Sequence, residues 1–165
     1  MVDRFLPALT MLLQDSNTCD RVRGHAAAAL IDLLNPENCE AETLSKFLDP
    51  LLNSLIYCLQ SAPLEVQAPC LVLLGCIAQV AGSGFAPYYN SFMPGIKSVM
   101  IAATAPDQAA LRGKAMGCAS LVGDAVGVEL FANDAMEIMQ MLIQAIVRIH
   151  FYFLHQFNLL IAPRH

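Results

Sequence analysis

The sequence predicts an all-α fold: a solenoid of antiparallel helix hairpins, holding about three and a half copies of one unit. Three observations carry that prediction. Of the 165 residues, 56% are hydrophobic and 14% charged, Trp is absent, and Ala, Leu and Met are abundant, which suits packed helices better than strands. A first phrase recurs, with an aromatic, an aliphatic and a proline ahead of an apolar helical pattern: FLPALTMLL from Phe5, FLDPLLNSL from Phe47 and FMPGIKSVM from Phe92. Its prolines, Pro7, Pro50 and Pro94, are 43 and 44 residues apart. A second phrase follows each first one: DRVRGHAAAALIDLL from Asp20, LEVQAPCLVLLGCIAQV from Leu64 and DQAALRGKAMGCASLVG from Asp107. In it Val22, Val66 and Leu111 align at spacings of 44 and 45, each followed directly by Arg23, Gln67 and Arg112.

Each phrase then reads as one helix. The first hairpin pairs residues 3–14 with 20–34, the second 41–60 with 64–81, and the third 86–103 with 107–123; a half repeat follows over 132–147. The proline inside each first helix removes one backbone hydrogen bond and bends the helix, and its recurrence makes the bend part of the unit. Asp20 is placed to N-cap the second helix of the first hairpin, and Asp107 that of the third, because a carboxylate accepts the free amides of a first turn. The small residues after Arg23 let their helix approach its neighbours closely. The segments LNPEN at 34–38 and Gly82-Ser83-Gly84 break one repeat from the next. From Ala145 the sequence AIVRIHFYFLHQFNLLIAPRH carries no Asp…Val-Arg phrase, so the organisation is a solenoid over 1–144 and a divergent tail over 145–165.

Several function classes fall away. A net charge of −5 argues against a nucleic-acid binder and suits basic partners. The N-terminus MVDRFLPALTMLL has an acid and a proline early and does not read as a secretory signal. The stretch from Met141 to Pro163 is the one membrane candidate, and Gln144, Arg148, His150, His155, Gln156 and Asn158 interrupt it, so no membrane span is expected. The six cysteines (Cys19, Cys39, Cys58, Cys70, Cys76 and Cys118) include no C-x-x-C pair and no nearby histidine ligand, so they read as small buried thiols of a reducing compartment rather than a zinc site. His25 reads as a packed or surface residue of its helix. AGSGF at 81–85 is a turn, since no strand precedes it. With no nucleophile elbow, phosphate loop or paired carboxylates, no enzyme, metal or cofactor is expected.

Two-helix units of this length, with a proline in the first helix and an Asp…Val-Arg opening to the second, resemble HEAT repeats. The phrases LPALTMLLQDSN…RVRGHAAAALIDLL, FAPYYNSFMPGIKSVM and LRGKAMGCASLVGDAVGVELFANDAMEIMQMLI together resemble the importin beta superfamily of nuclear transport receptors, in its karyopherin beta-3 or importin-five branch, over residues 4 to 144. That resemblance implies an internal piece of a much longer receptor that imports basic cargo and shuttles between cytoplasm and nucleus. It implies that Asp20, Arg23, Asp107 and Arg112 form a charge ladder between neighbouring repeats. It also implies that the second helices line a concave cargo face, on which Asn35, Gln79 and Asp124 align one turn beyond Ile31, Gly75 and Ser120. The alternative for that stripe is ordinary solvated helix ends. Tyr88, Tyr89 and Phe92 either pack the third hairpin or border an apolar groove for the Phe-Gly repeats of nucleoporins. The family's Ran GTPase contact lies mainly in repeats that this sequence does not resemble. A HEAT scaffold or adaptor with no transport role is the rival reading.

Overall fold

The computed structural model describes the backbone of residues 2–103 and 105–161, and the side chains of residues 4–103, 105, 107–147 and 151. Among the described residues there is no strand. The chain runs α1 (Val2–Gln14), α2 (Asp20–Leu33), α3 (Ala41–Ser45), α4 (Leu48–Ser61), α5 (Leu64–Ala81), a 3-10 segment (Gly82–Tyr88), α6 (Tyr89–Ala102), a 3-10 turn (Pro106–Gln108), α7 (Ala109–Val126) and α8 (Val128–Ile161). It forms two compact units, Met1–Leu130 and Phe131–His165.

In the first unit each first helix packs on its second: α1 on α2, α4 on α5 and α6 on α7. The first helices touch in series, α1 to α4 to α6, and so do the second helices, α2 to α5 to α7. Two helical layers stacked hairpin on hairpin are the solenoid that the sequence predicts. Burial follows the layers. Leu6, Thr10 and Leu13 form the buried stripe of α1, and Leu51, Leu55 and Cys58 that of α4. α5 lies between α2 and α7 and is apolar on nearly every side: Val66, Cys70, Leu71, Leu73, Leu74, Ile77 and Ala78 are all fully buried. Burying a leucine side chain contributes about 1.5–3 kcal/mol, so α5 is the main source of cohesion. In the second unit, α8 passes residues 144 and 145 without a break as far as Ile161; residues 162–165, and the side chains of His150 and His155, lie outside the described residues. Val128–Val147 has the length and hydropathy to cross a membrane, but Glu129, Asp134 and Glu137 interleave its apolar residues as in an amphipathic helix.

The elements correct four expectations. The first helix of the second hairpin is not continuous over 41–60. It stops after Ser45 and restarts at Leu48, so that Pro50 falls in a first turn, where its missing amide costs nothing and its ring meets no helical carbonyl. Pro7 and Pro94 do sit inside α1 and α6, and Pro69 stands at the same sixth position of α5. The first helix of the third hairpin begins at Tyr89, after a 3-10 segment containing Pro87. Asp20 is the first residue of α2 rather than its cap; Cys19 occupies the cap with no side-chain bond, and the Asp20 carboxylate is taken by Arg23 at 3.2 Å. Asp107 lies in the 3-10 turn, and Gln108 precedes α7. Gly82 and Gly127 end α5 and α7 with φ of 54° and 85°, a conformation that glycine adopts without a Cβ penalty.

Candidate binding surface

The aligned positions 23, 67 and 112 turn out to share one local task. Each sits in the first turns of a second helix and donates to a carbonyl at the end of the preceding first helix. Arg23 Nε donates to the Leu13 carbonyl at 3.1 Å, Gln67 Nε2 to that of Ala62 at 2.9 Å, and Arg112 Nη1 to that of Ala103 at 2.7 Å. The last carbonyls of a helix have no partner of their own, so a long donor closing back from the next helix satisfies them. This explains why Gln can replace Arg in the middle copy: the bond needs a donor and reach, not a charge. The bonds of Arg112 run within its own hairpin, and Asp107 is exposed and makes no ion pair among the described residues. Arg23 alone also crosses to the next hairpin: its Nη2 lies 3.6 Å from Cys58 Sγ on α4. Among the described residues it is one of three buried polar or charged ones, with Thr10 and Ser54.

The predicted stripe is partly displaced. Gln79 and Asp124 are exposed in the last turns of α5 and α7. Asn35 is also exposed, but it lies beyond the C-cap of α2, Leu34, in the following turn. Its Oδ1 accepts the Glu37 amide at 3.1 Å, and its carbonyl accepts the amides of Asn38 and Cys39. Asn35 therefore shapes the turn, and one face of its side chain is already occupied. One turn earlier, Gly75 is buried; a Cβ added there would stand 2.8 Å from Leu121 Cδ1 and 3.6 Å from the Cys118 Cα. Its role is close approach of α5 and α7, not a polar surface.

Of the aromatic cluster, Tyr89 and Phe92 are buried core. Their centre is Phe85, fully buried, with ring centroids 6.1 Å from Tyr88 and 5.9 Å from Phe92. The sequence places Phe85 in the turn AGSGF, whereas it sits in the 3-10 segment and points into the core; the sequence signal for it is an aromatic directly after the glycines. Tyr88 is half-buried, and its hydroxyl donates to Asp49 of α4, which ties the third hairpin to the second. The carboxylate holds the phenol above its ordinary pKa. An open cleft of about 220 Å³, of mixed lining, lies instead at the hairpin tips, where Leu59, Leu64, Val99 and Leu111 stand beside Gln67, Ser98 and Gln108 of the second and third hairpins. All six cysteines are thiols, with only Cys19 exposed. No group of His, Cys, Asp and Glu able to hold a metal is present among the described residues.

Comparison with known proteins places this architecture. The importin subunit beta-3 of Saccharomyces cerevisiae is 39% identical over 141 residues, 86% of this chain and 13% of that protein. The chain is an importin beta-3 homologue. The importin-5 homolog of Dictyostelium discoideum is 30% identical over 113 residues, 62% of this chain and 11% of that protein. The crystal structure of Kap121p superposes with a TM-score of 0.78 at 37% identity, covering 88% of this chain and 13% of Kap121p. Kap121p bound to Pho4p superposes with a TM-score of 0.75 at 38% identity over 86% of this chain. No protein-family model matches the chain. The chain thus spans about an eighth of the length of the importins it matches.

Proposed function

We propose that this chain is part of the cargo-binding solenoid of a nuclear import receptor and that its ligands are basic, extended protein segments. The observation that supports this best is the match to Kap121p bound to Pho4p, which runs over 86% of the chain at 38% identity. The −5 charge and the exposed ends of α5 and α7 suit a basic partner. We assign contact with such a segment to Gln79 and Asp124, with Asn35 contributing through the turn it holds. Asp20, Arg23, Asp107 and Arg112 act in the fold rather than in binding. The cleft at the hairpin tips, rather than Tyr88, Tyr89 and Phe92, is the place for an aromatic side chain of a nucleoporin Phe-Gly repeat; Kap121p has also been crystallised bound to Nup53p. Contact with Ran GTPase belongs to other repeats. The receptor shuttles between cytoplasm and nucleus and is not an enzyme.

The test is binding of a fluorescent, lysine-rich extended peptide to the whole chain by anisotropy. Hydrogen bonds to charged partners are worth about 1.5–3 kcal/mol, less where solvent and salt screen them. Asp124→Lys is therefore expected to weaken binding by roughly tenfold at low salt and less at high salt, with Asn35→Ala weaker in effect. Binding indifferent to substitutions at 35, 79 and 124 in folded protein would leave these positions as a solvated edge, and would favour a scaffold without a cargo site here.

A further inference from the structure

The first hairpin has an outer face, turned away from the second hairpin, that is open among the described residues. Its inner side is marked by two contacts. Gln14 of α1 donates to Ser54 of α4, and a Cβ on Gly24 of α2 would stand 3.7 Å from the Glu65 carbonyl oxygen of α5. At about 100° of turn per residue, Phe5 and Leu12 lie on the far side of α1 from Gln14, and Val22 and Ala29 on the far side of α2 from Gly24. Leu12 is 40% exposed, Val22 is 42% exposed, and Phe5 and Ala29 are exposed too. One repeat on, Leu55, Val66 and Leu73 hold the register of Leu12, Val22 and Ala29 and are fully buried, on helices that pack against the first hairpin. The outer face therefore has the make-up of a surface on which a hairpin stacks.

Four charges edge this face. The Arg23 bond to the Leu13 carbonyl sets the two helices level. Arg4 stands nine residues before Leu13 and Asp32 nine after Arg23, so they share one end of the hairpin. Asp15 stands two residues after Leu13 and Arg21 two before Arg23, so they share the other end. All four are exposed, and Arg4, Arg21 and Asp32 make no ion pair among the described residues. The Asp15 carboxylate is held in place by accepting from the Asn17 amide and the Thr18 hydroxyl. Both helices thus run from Arg to Asp in opposite directions, and a half-turn lays each charge of the face against its opposite. The face is complementary to itself in volume as well: α1 presents Phe5 and Leu12, and α2 the smaller Val22 and Ala29. Large side chains interdigitate best with small ones.

We propose that this face takes a second copy of the chain in a two-fold dimer, with α1 of one copy lying antiparallel on α2 of the other. Arg4 then faces Asp32 of the other copy and Asp15 faces Arg21, and the symmetry forms each pair twice. Phe5 and Leu12 cover Val22 and Ala29 between them, which gives an apolar centre with a charged rim. Helices of 13 and 14 residues are about 20 Å long, and two of them about 10 Å apart make a face of about 400 Å² per copy. That is small for a permanent interface, so the dimer is a transient one with a dissociation constant of about 10–100 µM.

The experiment is sedimentation velocity on the whole chain, over concentrations spanning that range. The expected result is a monomer–dimer equilibrium that weakens severalfold from low to high salt. Arg4→Asp and Asp32→Arg should each raise the dissociation constant at least about tenfold, since each puts two like-charge pairs into the dimer. Both positions are exposed, so the variants keep the fold, which circular dichroism checks. Mixed in equal amounts, the two variants should associate about as tightly as the parent, because each then meets its opposite charge at both contacts. Val22→Asp should abolish association. The proposal is overturned if the chain stays monomeric, as it would were the face reserved for a preceding hairpin of a longer chain. It is overturned as well if association runs on past the dimer, as end-to-end stacking would, if the mixed variants stay apart, or if Val22→Asp dimerises like the parent.

Discussion

The junction between the first and second hairpins is stitched by polar atoms, while that between the second and third is a close apolar contact. At the first junction, Arg23 reaches from α2 to Cys58, and Gln14 of α1 donates to the buried Ser54 of α4. At the second, Gly75 brings α5 against Cys118 and Leu121 of α7, Phe85 and Phe92 fill the space nearby, and the Tyr88–Asp49 bond lies at the rim. One repeat unit therefore stacks by two kinds of interaction. Polar stitching fails when a partner is removed, because the remaining group stays buried and unpaired. Apolar close approach tolerates loss of a polar group but not added volume.

That contrast gives an ordered set of expectations. The largest effect belongs to Gly75→Leu, which drives a side chain into the space of Leu121 and the α7 backbone. We expect a loss of about 3 kcal/mol or more in urea unfolding. Gly75→Ala should be close to neutral, because Leu121 is half-exposed and its Cδ1 can swing aside, and alanine gains about 1 kcal/mol of helix propensity. A Gly75→Leu protein as stable as the parent would show that α5 and α7 are not in close contact.

The middle effect compares two arginines with the same alignment. Arg23→Gln is expected to cost about 2 kcal/mol, because a glutamine keeps the carbonyl bond within the hairpin but loses the cross-hairpin bond and leaves the buried Cys58 sulfur short of a donor. Arg112→Gln should cost about 1 kcal/mol or less, since Gln67 shows that the carbonyl bond within a hairpin needs only an amide donor. Equal melting points for the two variants would remove the distinction between the junctions.

The smallest effect concerns the rim. Tyr88→Phe removes the bond to Asp49, and the loss should be about 0.5 kcal/mol at neutral pH because the pair is partly solvated. The folded-state pKa of Tyr88 lies above the free value of 10.0, so this contribution is intact below pH 10 and fades as pH rises through the higher folded value. Parent and Tyr88→Phe melting curves should therefore converge at strongly alkaline pH; a constant gap would mean that the phenol, not its bond, is what stabilises.

The sequence by itself determined the period, the hairpin order and the helix breaks. These are local matters: proline cannot donate, glycine alone takes positive φ cheaply, and an apolar stripe at helical spacing must find cover. Even Gly127, not read as a break, stands 45 residues after Gly82 and ends its helix in the same way. Tertiary structure decided what the aligned side chains touch. Arg23 and Arg112 read alike in sequence, yet only Arg23 finds a neighbouring hairpin sulfur, because Cys58 occupies that place on α4. Val22, Val66 and Leu111 also read alike, but Val66, on the helix packed between α2 and α7, is fully buried, whereas Val22 is 42% exposed. Asn35 left the stripe because Pro36 ends α2 early and its own amide then serves the turn. Alignment within a repeat is a property of the chain, whereas a partner 35 residues away is fixed only when the hairpins stack.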